Sequence, residues 1–236
     1  MIQLCKADER YCQGRRGQRV WYTFYSQDQT DPRADEFRNQ GFLSESRLRP
    51  GERVAPQPWN EGEAVNYVRE GALMYTDSRG HSAAIVAGEF QRGTVGHGSR
   101  QTEANASRSH SAHVFRISLR PSKVERDRDP EQKRFTTAQR RNSLCVVASQ
   151  DGREGSLRIH QDALIISSIF EDGHHFAHEL RQGRSAWLHL VQGEGTLGDI
   201  DLTTGDGAGI TAERAVSFTA HEGTEILLVD VGEEVP

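Results

Sequence analysis

The residue types best suited to chemistry in this chain of 236 residues are its ten histidines and three cysteines. Three histidines stand close together in the run His174-His175-x-x-His178, a spacing that suits metal ligands. Asp172 and Gly173 precede the run and indicate a turn, so a structural role is the stronger interpretation. The chain has no Gly-x-Ser-x-Gly, no phosphate-binding glycine loop and no His-Glu-x-x-His motif. We therefore predict no catalytic residue from these motifs.

The cysteines are Cys5, Cys12 and Cys145, and they lack the spacing of a metal site or of a Cys-x-x-Cys redox pair. We expect free thiols in a reducing cytoplasm. Cys145 lies in an apolar run and is predicted to be buried and inert. Cys12 first and Cys5 second are the candidates for oxidation, because nearby cations favour a thiolate and terminal segments tend to be mobile. Those cations are Lys6, Arg10, Arg15 and Arg16. Cysteines without any redox role are the alternative.

The composition argues against two classes of protein. The 29 basic and 34 acidic residues give a formal net charge of −5, which disfavours nucleic-acid binding through a basic face. The longest apolar runs are only five residues long, at 83–87 and 144–148, whereas a membrane-spanning helix needs about 20. No apolar signal region opens the chain. We expect a cytoplasmic monomer with no membrane or nucleic-acid partner.

The elements that must position any site are predicted to be strands. Phe115, Ile117 and Leu119 alternate with polar residues such as Arg116, which indicates a half-buried strand. Residues 187–191 form a short apolar run of strand length, and glycine turns separate such runs along the chain. This pattern favours an all-β sandwich or barrel.

A charged stretch from Pro121 to Arg141 is typical of an exposed connector. On either side of it the same order recurs: an apolar strand, a glycine turn, a second strand and a Gly-acidic turn. The first two of these steps cover 64–71 in one half and 187–193 in the other. This weak repeat, of about 120 residues, predicts two similar β domains, and chance similarity between two β-rich halves is the alternative. The predicted boundaries are 1–122 for the N-terminal domain, 123–141 for the connector and 142–236 for the C-terminal domain.

Two segments of the first half carry a more specific pattern of glycines and polar residues. Residues 51–71 contain Gln-Pro-Trp at 57–59, and residues 88–105 contain Gln-Thr-Glu at 101–103. Their glycine spacing matches the frame of the two cupin motifs, and the chain resembles the pirin family of bicupins. Within that family it resembles most the bacterial pirin-like branch with its redox-sensitive, YhaK-type bicupins. Further similar segments are 75–80, 131–135, 148–153, 159–163 and 178–180.

The resemblance implies an all-β bicupin, in which two β-sandwich or jelly-roll barrels pack face to face. It also implies a pocket in the N-terminal barrel. Pirins bind one metal ion there through three His and one Glu, and some of them open quercetin with dioxygen. Other members bind transcriptional regulators, and the redox-sensitive bacterial branch is described as metal-free.

This sequence departs from the pirin pattern at the metal site. Gln57, Trp59 and Gln101 stand where pirins have His, and only Glu103 keeps the family's residue. An amide oxygen is a weak ligand for transition metals and an indole N–H has no acceptor, so we predict no metal and no other cofactor. Trp59 is expected to fill the metal's space, or else to pack between strands. The alternative is one divalent ion, Fe, Ni, Cu, Mn or Zn, held by Glu103 and His97.

Three functions follow as hypotheses. The first is a metal-free bicupin that binds a small aromatic ligand or a regulatory protein, or that responds to oxidants. The second is a quercetin 2,3-dioxygenase-type oxidoreductase, and the third is a scaffold for a transcriptional regulator. The first predicts a protein that is metal-free as purified and does not turn over quercetin.

Overall fold

The computed structural model describes residues 1–14, 19–23, 41–54, 62–76, 82–95, 102–119 and 130–232. Within these ranges the chain is almost entirely β-structure. The exceptions are a single helical turn, α1, at Thr137–Arg140, and two 3₁₀ turns at Ala7–Glu9 and Arg153–Gly155. The all-β fold class predicted from the sequence is confirmed. No helix of the described ranges is long and apolar enough to cross a membrane.

The N-terminal unit comprises residues 11–135 and is built from two antiparallel sheets. The large sheet has the strand order β11-β8-β5-β10-β4-β3-β2, and the small sheet has the order β7-β6-β9. The strands are β2 Tyr11–Gln13, β3 Arg19–Thr23, β4 Gly41–Leu48, β5 Gly62–Glu70, β6 Ala72–Thr76, β7 Ser82–Val86, β8 Glu89–Val95, β9 Thr102–Asn105, β10 Ala112–Leu119 and β11 Glu131–Arg134.

The C-terminal unit comprises residues 1–10 and 136–236 and repeats this arrangement. Its large sheet has the order β1-β19-β16-β21-β14-β12-β13, and its small sheet has the order β15-β20-β17-β18. The strands are β1 Ile2–Cys5, β12 Cys145–Ser149, β13 Leu157–Arg158, β14 Ala163–Phe170, β15 His175–Glu179, β16 Arg184–Gln192, β17 Glu194–Leu197, β18 Ile200–Thr203, β19 Gly207–Ile210, β20 Ala215–Ala220 and β21 Thr224–Gly232.

These two units depart from the predicted domain boundaries at both ends of the N-terminal half. Strand β1 pairs antiparallel with β19, so the first ten residues belong to the C-terminal unit. Strand β11 lies inside the predicted connector but pairs antiparallel with β8. Both additions satisfy the backbone groups of a sheet edge, a role that charge pattern and chain position do not reveal.

The two units have equivalent strands in equivalent places, and their turns correspond residue by residue. The Gly88 N–H donates to the Val68 carbonyl at 2.9 Å, and the Gly205 N–H donates to the Leu190 carbonyl at 2.8 Å. Val68 therefore corresponds to Leu190, an offset of 190 − 68 = 122 residues. This is the internal repeat that the sequence indicated.

The glycine turns after β5 and β16 carry this correspondence. Gly71 has a φ of +76° and Gly193 a φ of +99°, values that favour glycine. A Cβ on Gly71 would stand 2.6 Å from the Ser111 carbonyl oxygen, and one on Gly193 would stand 2.6 Å from the Thr224 hydroxyl oxygen. Both positions therefore exclude any larger residue, and they fix where each following strand begins.

Each unit buries an apolar cluster between its two sheets. The cluster of the C-terminal unit draws on nearly every strand of both sheets, with Phe170, Leu188, Phe218 and Leu228 among its members. Among the described residues of the N-terminal unit, one cluster joins the two sheets. Its members are Leu48, Val68, Leu73, Ile85, Ala112 and Val114, with Val54 packed against them.

Candidate functional site

Glu103, the one pirin ligand kept in the sequence, lies on β9 and faces the interior of the N-terminal barrel. Its cross-strand partner is Tyr75 on β6, and the pair lies on the same face as the next pair but one, the buried Leu73 and Asn105. Gln57, Trp59 and Gln101, and also His97, lie outside the described residues. The expected placement of Trp59 in the metal's space therefore remains a prediction.

An arginine that the sequence did not single out is the partner of Glu103. Arg116, on β10 of the opposite sheet, donates from Nη2 to the Glu103 carboxylate, so this ion pair bridges the barrel interior. Its Nε donates to Oδ1 of Asn66 on β5 at 2.8 Å. The two contacts fix the plane of the guanidinium, because each uses a different nitrogen of a rigid group.

Arg116 is part of a polar layer that crosses the large sheet. Tyr22 pairs with Ser44, Ser44 with Arg116, Arg116 with Asn66 and Asn66 with Gln91. Directly opposed residues share one face of a sheet, so all five point to the interior. With Glu103 and Tyr75 on the small sheet, they form what we call the polar layer.

The apolar cluster forms the floor beneath the polar layer. Val114 and Val68 lie two residues from Arg116 and Asn66 on the same face, and Leu73 lies two residues from Tyr75 on the small sheet. The interior is thus divided into an apolar end and a polar end. That division suits a ligand with an apolar body and polar groups.

The C-terminal barrel has an apolar layer at the same level. The offset of 122 places Leu188 at the position of Asn66, and Leu188 pairs with Leu228 as Asn66 pairs with Arg116. The corresponding residues are Val146, Ile166, Leu228, Leu188 and Ala208 in the large sheet, and Leu197 and Phe218 in the small sheet. Every polar side chain of the N-terminal layer is replaced by a hydrocarbon one.

The two layers also differ in their contact with solvent. The side chains of Glu103 and Arg116 are each 13% exposed, whereas Phe218 and Leu228 are fully buried. Since Glu103 and Arg116 point to the barrel interior, water reaches this layer of the N-terminal barrel. The same layer of the C-terminal barrel is filled.

The polar layer can bind and orient a ligand. Its donors include the Nη1 group of Arg116, which donates to no residue of the described ranges. Its acceptors include the carboxylate of Glu103. No residue of the layer is a cysteine or histidine nucleophile, and the layer has no nucleophile–base pair among its described members.

The histidine run at 174–178 does not converge on a common point. The His174 ring stacks on Phe170 with centroids 5.0 Å apart, and His175 Nδ1 lies 3.0 Å from the Thr219 hydroxyl oxygen. His178 belongs to a separate ion network with Asp230 and Arg184. In the described parts of the chain no three His, Cys, Asp or Glu side chains are placed to hold a metal ion.

That network joins the two sheets of the C-terminal barrel. His178 Nε2 lies 2.7 Å from one oxygen of the buried Asp230, and Arg184 Nε donates to the other oxygen at 2.6 Å. The Nη1 group of Arg184 also donates to both oxygens of Asp162, at 2.9 Å each. Burial alone would lower the pKa of Arg184, but its hydrogen bonds to Asp162 and Asp230 outweigh burial and raise it. One arginine thus binds two carboxylates at once.

The cysteines occupy three different environments. Cys12 is exposed on β2, Cys5 is half-buried on β1, and Cys145 is half-buried on β12 rather than fully buried. Burial raises the pKa of the Cys145 thiol, Arg140 opposes this shift and Glu154 adds to it. The segment expected to be mobile is instead held in the C-terminal sheet up to Cys5.

The cations expected to activate the N-terminal thiols have other partners. Lys6 Nζ donates to the Asp206 carboxylate at 3.0 Å, and Arg10 Nη1 donates to the Gly205 carbonyl at 3.4 Å. Arg15 and Arg16 lie outside the described residues. The electrostatic argument for Cys5 is therefore weakened, whereas the exposure of Cys12 favours its place as first candidate.

Sequence reasoning missed Arg116 and Asn66. The alternation of Phe115, Ile117 and Leu119 suggested that Arg116 lies on the solvent side, but those three residues and Arg116 line opposite faces that are both shielded. The available signal was the repeat itself. An offset of 122 aligns Asn66 with Leu188, and an isolated amide in an otherwise hydrocarbon position marks a site.

Comparison with known proteins agrees with this architecture. Residues 6–118 match the family described as Pirin, and residues 146–231 match the Quercetinase C-terminal cupin domain. A quercetin 2,3-dioxygenase of Escherichia coli (strain K12) is 30% identical over 231 residues, which cover 98% of this chain and 99% of that protein.

Two solved structures extend the likeness to three dimensions. Bacterial pirin YhhW from E. coli, in complex with nickel(II), has a TM-score of 0.88 at 30% identity and covers 98% of this chain and 99% of its own. YhaK from E. coli has a TM-score of 0.75 at 21% identity, with coverage of 91% and 94%, and supports the fold. The chain therefore belongs to the pirin family of bicupins.

Proposed function

We propose that this pirin-family chain uses its N-terminal barrel as a metal-free pocket for a small ligand. The observation that carries this proposal is the ion pair between Glu103 and Arg116. The one carboxylate left at the pirin metal site is already compensated by a guanidinium cation. The guanidinium of Arg116 therefore supplies the positive charge beside this carboxylate that a metal ion would otherwise supply.

The residues present do not fit a transition-metal ion. The four pirin ligand positions offer two amides, an indole and one carboxylate, and the carboxylate lies against Arg116. A divalent cation there would compete with the guanidinium and would also be repelled by it. His97 adds at most one imidazole to this set. We therefore derive no chemical step through a metal at this site.

The test is elemental analysis of protein purified without chelators. We expect Fe, Ni, Cu, Mn and Zn all at substoichiometric levels, and the same levels in Glu103→Ala. The control is Glu70→Ala, which removes an exposed carboxylate at the end of β5. One metal ion per chain that is lost in Glu103→Ala but kept in Glu70→Ala would contradict the proposal.

Engineering the site back gives a second measurement. The triple variant Gln57→His, Trp59→His, Gln101→His restores the pirin ligand types, because the barrel around them is kept. We expect it to bind Ni²⁺ at least about tenfold more tightly when Arg116→Gln is added, since this removes the competing cation. Equal affinity with and without Arg116→Gln would show that the ion pair does not oppose a metal.

A quercetin 2,3-dioxygenase activity is the second candidate, favoured by the E. coli relative of that name at 30% identity. It requires a centre that brings flavonol and dioxygen together, and the residues at the site do not offer a metal centre. We expect no quercetin-dependent oxygen consumption. A rate above that of the Glu103→Ala variant, measured with an oxygen electrode, would favour the dioxygenase instead.

A further inference from the structure

We infer that the N-terminal barrel binds a small carboxylate ligand, and that Nη1 of Arg116 is the group that recognises it. This inference rests on the proposed metal-free pocket and assigns the chemical class of its ligand. Arg116 has two of its three nitrogens engaged by the protein, Nε by Asn66 and Nη2 by Glu103. Nη1 carries two further N–H groups and donates no hydrogen bond to any residue of the described ranges.

Arg184 in the C-terminal unit shows what a completed site of this kind looks like. Its Nε donates to Asp230, and its Nη1 donates to both oxygens of Asp162 at 2.9 Å each. The same chain thus stabilises a guanidinium between two carboxylates. Arg116 has the first carboxylate, from Glu103, and lacks the second. A ligand carboxylate at Nη1 would take the part that Asp162 takes at Arg184.

The balanced charge of the polar layer disfavours a dianion more than a monoanion. Its described residues carry one cation, Arg116, and one carboxylate, Glu103. A carboxylate needs one guanidinium edge, whereas a phosphate dianion would face Glu103 with no further cation among the described residues of the layer. The guanidinium is also held in place before the ligand arrives, which lowers the entropy cost of binding.

The floor of the pocket favours an apolar body attached to the carboxylate. Leu73, Val68 and Val114 lie under the polar layer, and Tyr75 adds an aromatic ring to it. The side chains of Glu103 and Arg116 are partly exposed, so solvent reaches the layer. Benzoate has this combination of one carboxylate and one apolar ring, and benzamide has the same shape without the charge.

Isothermal titration of the purified protein with benzoate and benzamide tests the inference, with acetate, hexanoate and inorganic phosphate as further probes. We expect benzoate to bind at least about tenfold more tightly than benzamide or phosphate. Arg116→Gln should abolish that preference. The control Arg47→Gln removes an exposed arginine on the other face of the neighbouring strand β4 and should leave it unchanged.

Equal binding of benzoate and benzamide, or an unchanged preference in Arg116→Gln, would overturn the inference. So would the absence of binding by acetate, hexanoate and benzoate alike. If Arg116→Gln fails to fold, the side-chain ¹⁵N resonances of Arg116 in the unaltered protein replace it, and they must shift on adding benzoate but not benzamide. Metal content is measured on the same preparations. A bound metal ion would refute the proposed function. A metal-free protein that binds none of the carboxylates would refute only the class of ligand inferred for the pocket.

Discussion

The two barrels of this chain carry side chains of opposite polarity at the same position of the same fold. In the N-terminal barrel Arg116 and Asn66 are paired on adjacent strands of the large sheet, and in the C-terminal barrel Leu228 and Leu188 are paired in the same way. Burying a polar group costs free energy unless it is hydrogen-bonded, while burying leucine is favourable. The C-terminal barrel therefore uses this layer for stability, and we propose that the N-terminal barrel uses it to bind a ligand.

Carboxylates at the start of the equivalent strands β8 and β19 show the same division on a smaller scale. Glu89 accepts from the Val86 N–H at 2.9 Å and from Gln132 of β11 at 2.8 Å. Asp206 accepts from the Thr203 N–H at 3.0 Å and also holds Lys6. Each carboxylate caps a turn and accepts a hydrogen bond from a segment added at the sheet edge, Gln132 of β11 for Glu89 and Lys6 after β1 for Asp206. The Asp206 side chain is 3% exposed, whereas that of Glu89 is 18% exposed. The more buried carboxylate should contribute more to stability.

The largest expected effect comes from forcing the C-terminal layer to resemble the N-terminal one. Leu228→Arg places a charge in a fully buried hydrocarbon layer with no carboxylate opposite, since Phe218 stands where Glu103 would. We expect a loss of about 4–5 kcal/mol or more in the free energy of unfolding, measured by denaturant titration. The control Leu228→Met should cost less than about 1.5 kcal/mol. A folded Leu228→Arg with near-normal stability would mean that the C-terminal layer is not a closed hydrocarbon core.

The reverse change in the N-terminal layer should be smaller and correctable. Arg116→Leu leaves Glu103 without its cation, and we expect a loss of about 1–3 kcal/mol because the pair is partly solvated. The double variant Arg116→Leu, Glu103→Leu removes both charges and should recover most of that loss. Urea unfolding of the three proteins measures it. A double variant as unstable as the single one would mean that the loss comes from Asn66 or from packing, not from the unpaired carboxylate.

Much of the fold could be predicted from the sequence, because glycine turns and short apolar runs recur at a constant offset. The orientation of β10 could not. Period-2 patterns separate the two faces of a strand, but they identify the face that points to the barrel interior only when the other face is exposed to solvent. Phe115 and Ile117 on one face are buried, and Val114 on the other face is buried too. The apolar face was therefore mistaken for the interior, and Arg116 was missed.

The N-terminal segment was misjudged for a related reason. Residues 1–10 read as a charged, mobile end, yet β1 completes the edge of the C-terminal sheet and Asp206 anchors the residues that follow. Edge pairing is made by backbone groups, which composition does not show. Glu103, by contrast, can be singled out from the sequence, because a single carboxylate at a fixed distance from glycines matches the family's motif, and its role in a site stays a prediction.

A smaller effect is expected at the two strand-start carboxylates, and at Asp206 it depends on pH. Burial raises the pKa of Asp206, but the Thr203 N–H, Lys6 and the Ala7 N–H outweigh it and hold the pKa below the ordinary value of 3.8. A lowered pKa contributes stability that is fully present above the ordinary pKa and is lost as pH falls below it. Asp206→Asn should cost about 1–2 kcal/mol at pH 7 and flatten the acid limb of the stability profile. Glu89→Gln, its matched control, should cost less than about 1 kcal/mol, and a larger loss there would contradict the ranking by burial.

The smallest expected effect compares a thiol of each unit and leaves stability nearly unchanged. Cys12 is exposed on an N-terminal edge strand. Burial, by contrast, raises the pKa of the Cys145 thiol on β12, and the positive charge of Arg140 offsets only part of that increase. Because the thiolate is the species that peroxide oxidises, Cys145 should react more slowly than Cys12 at neutral pH. Half-buried Cys5, held in β1, should fall between them. Peroxide titration followed by mass spectrometry of each thiol gives the order, with Cys12→Ser as the control that removes the first modification and leaves the other two. Oxidation of Cys145 first, or of all three only after unfolding, would remove redox sensing from the functions open to this chain.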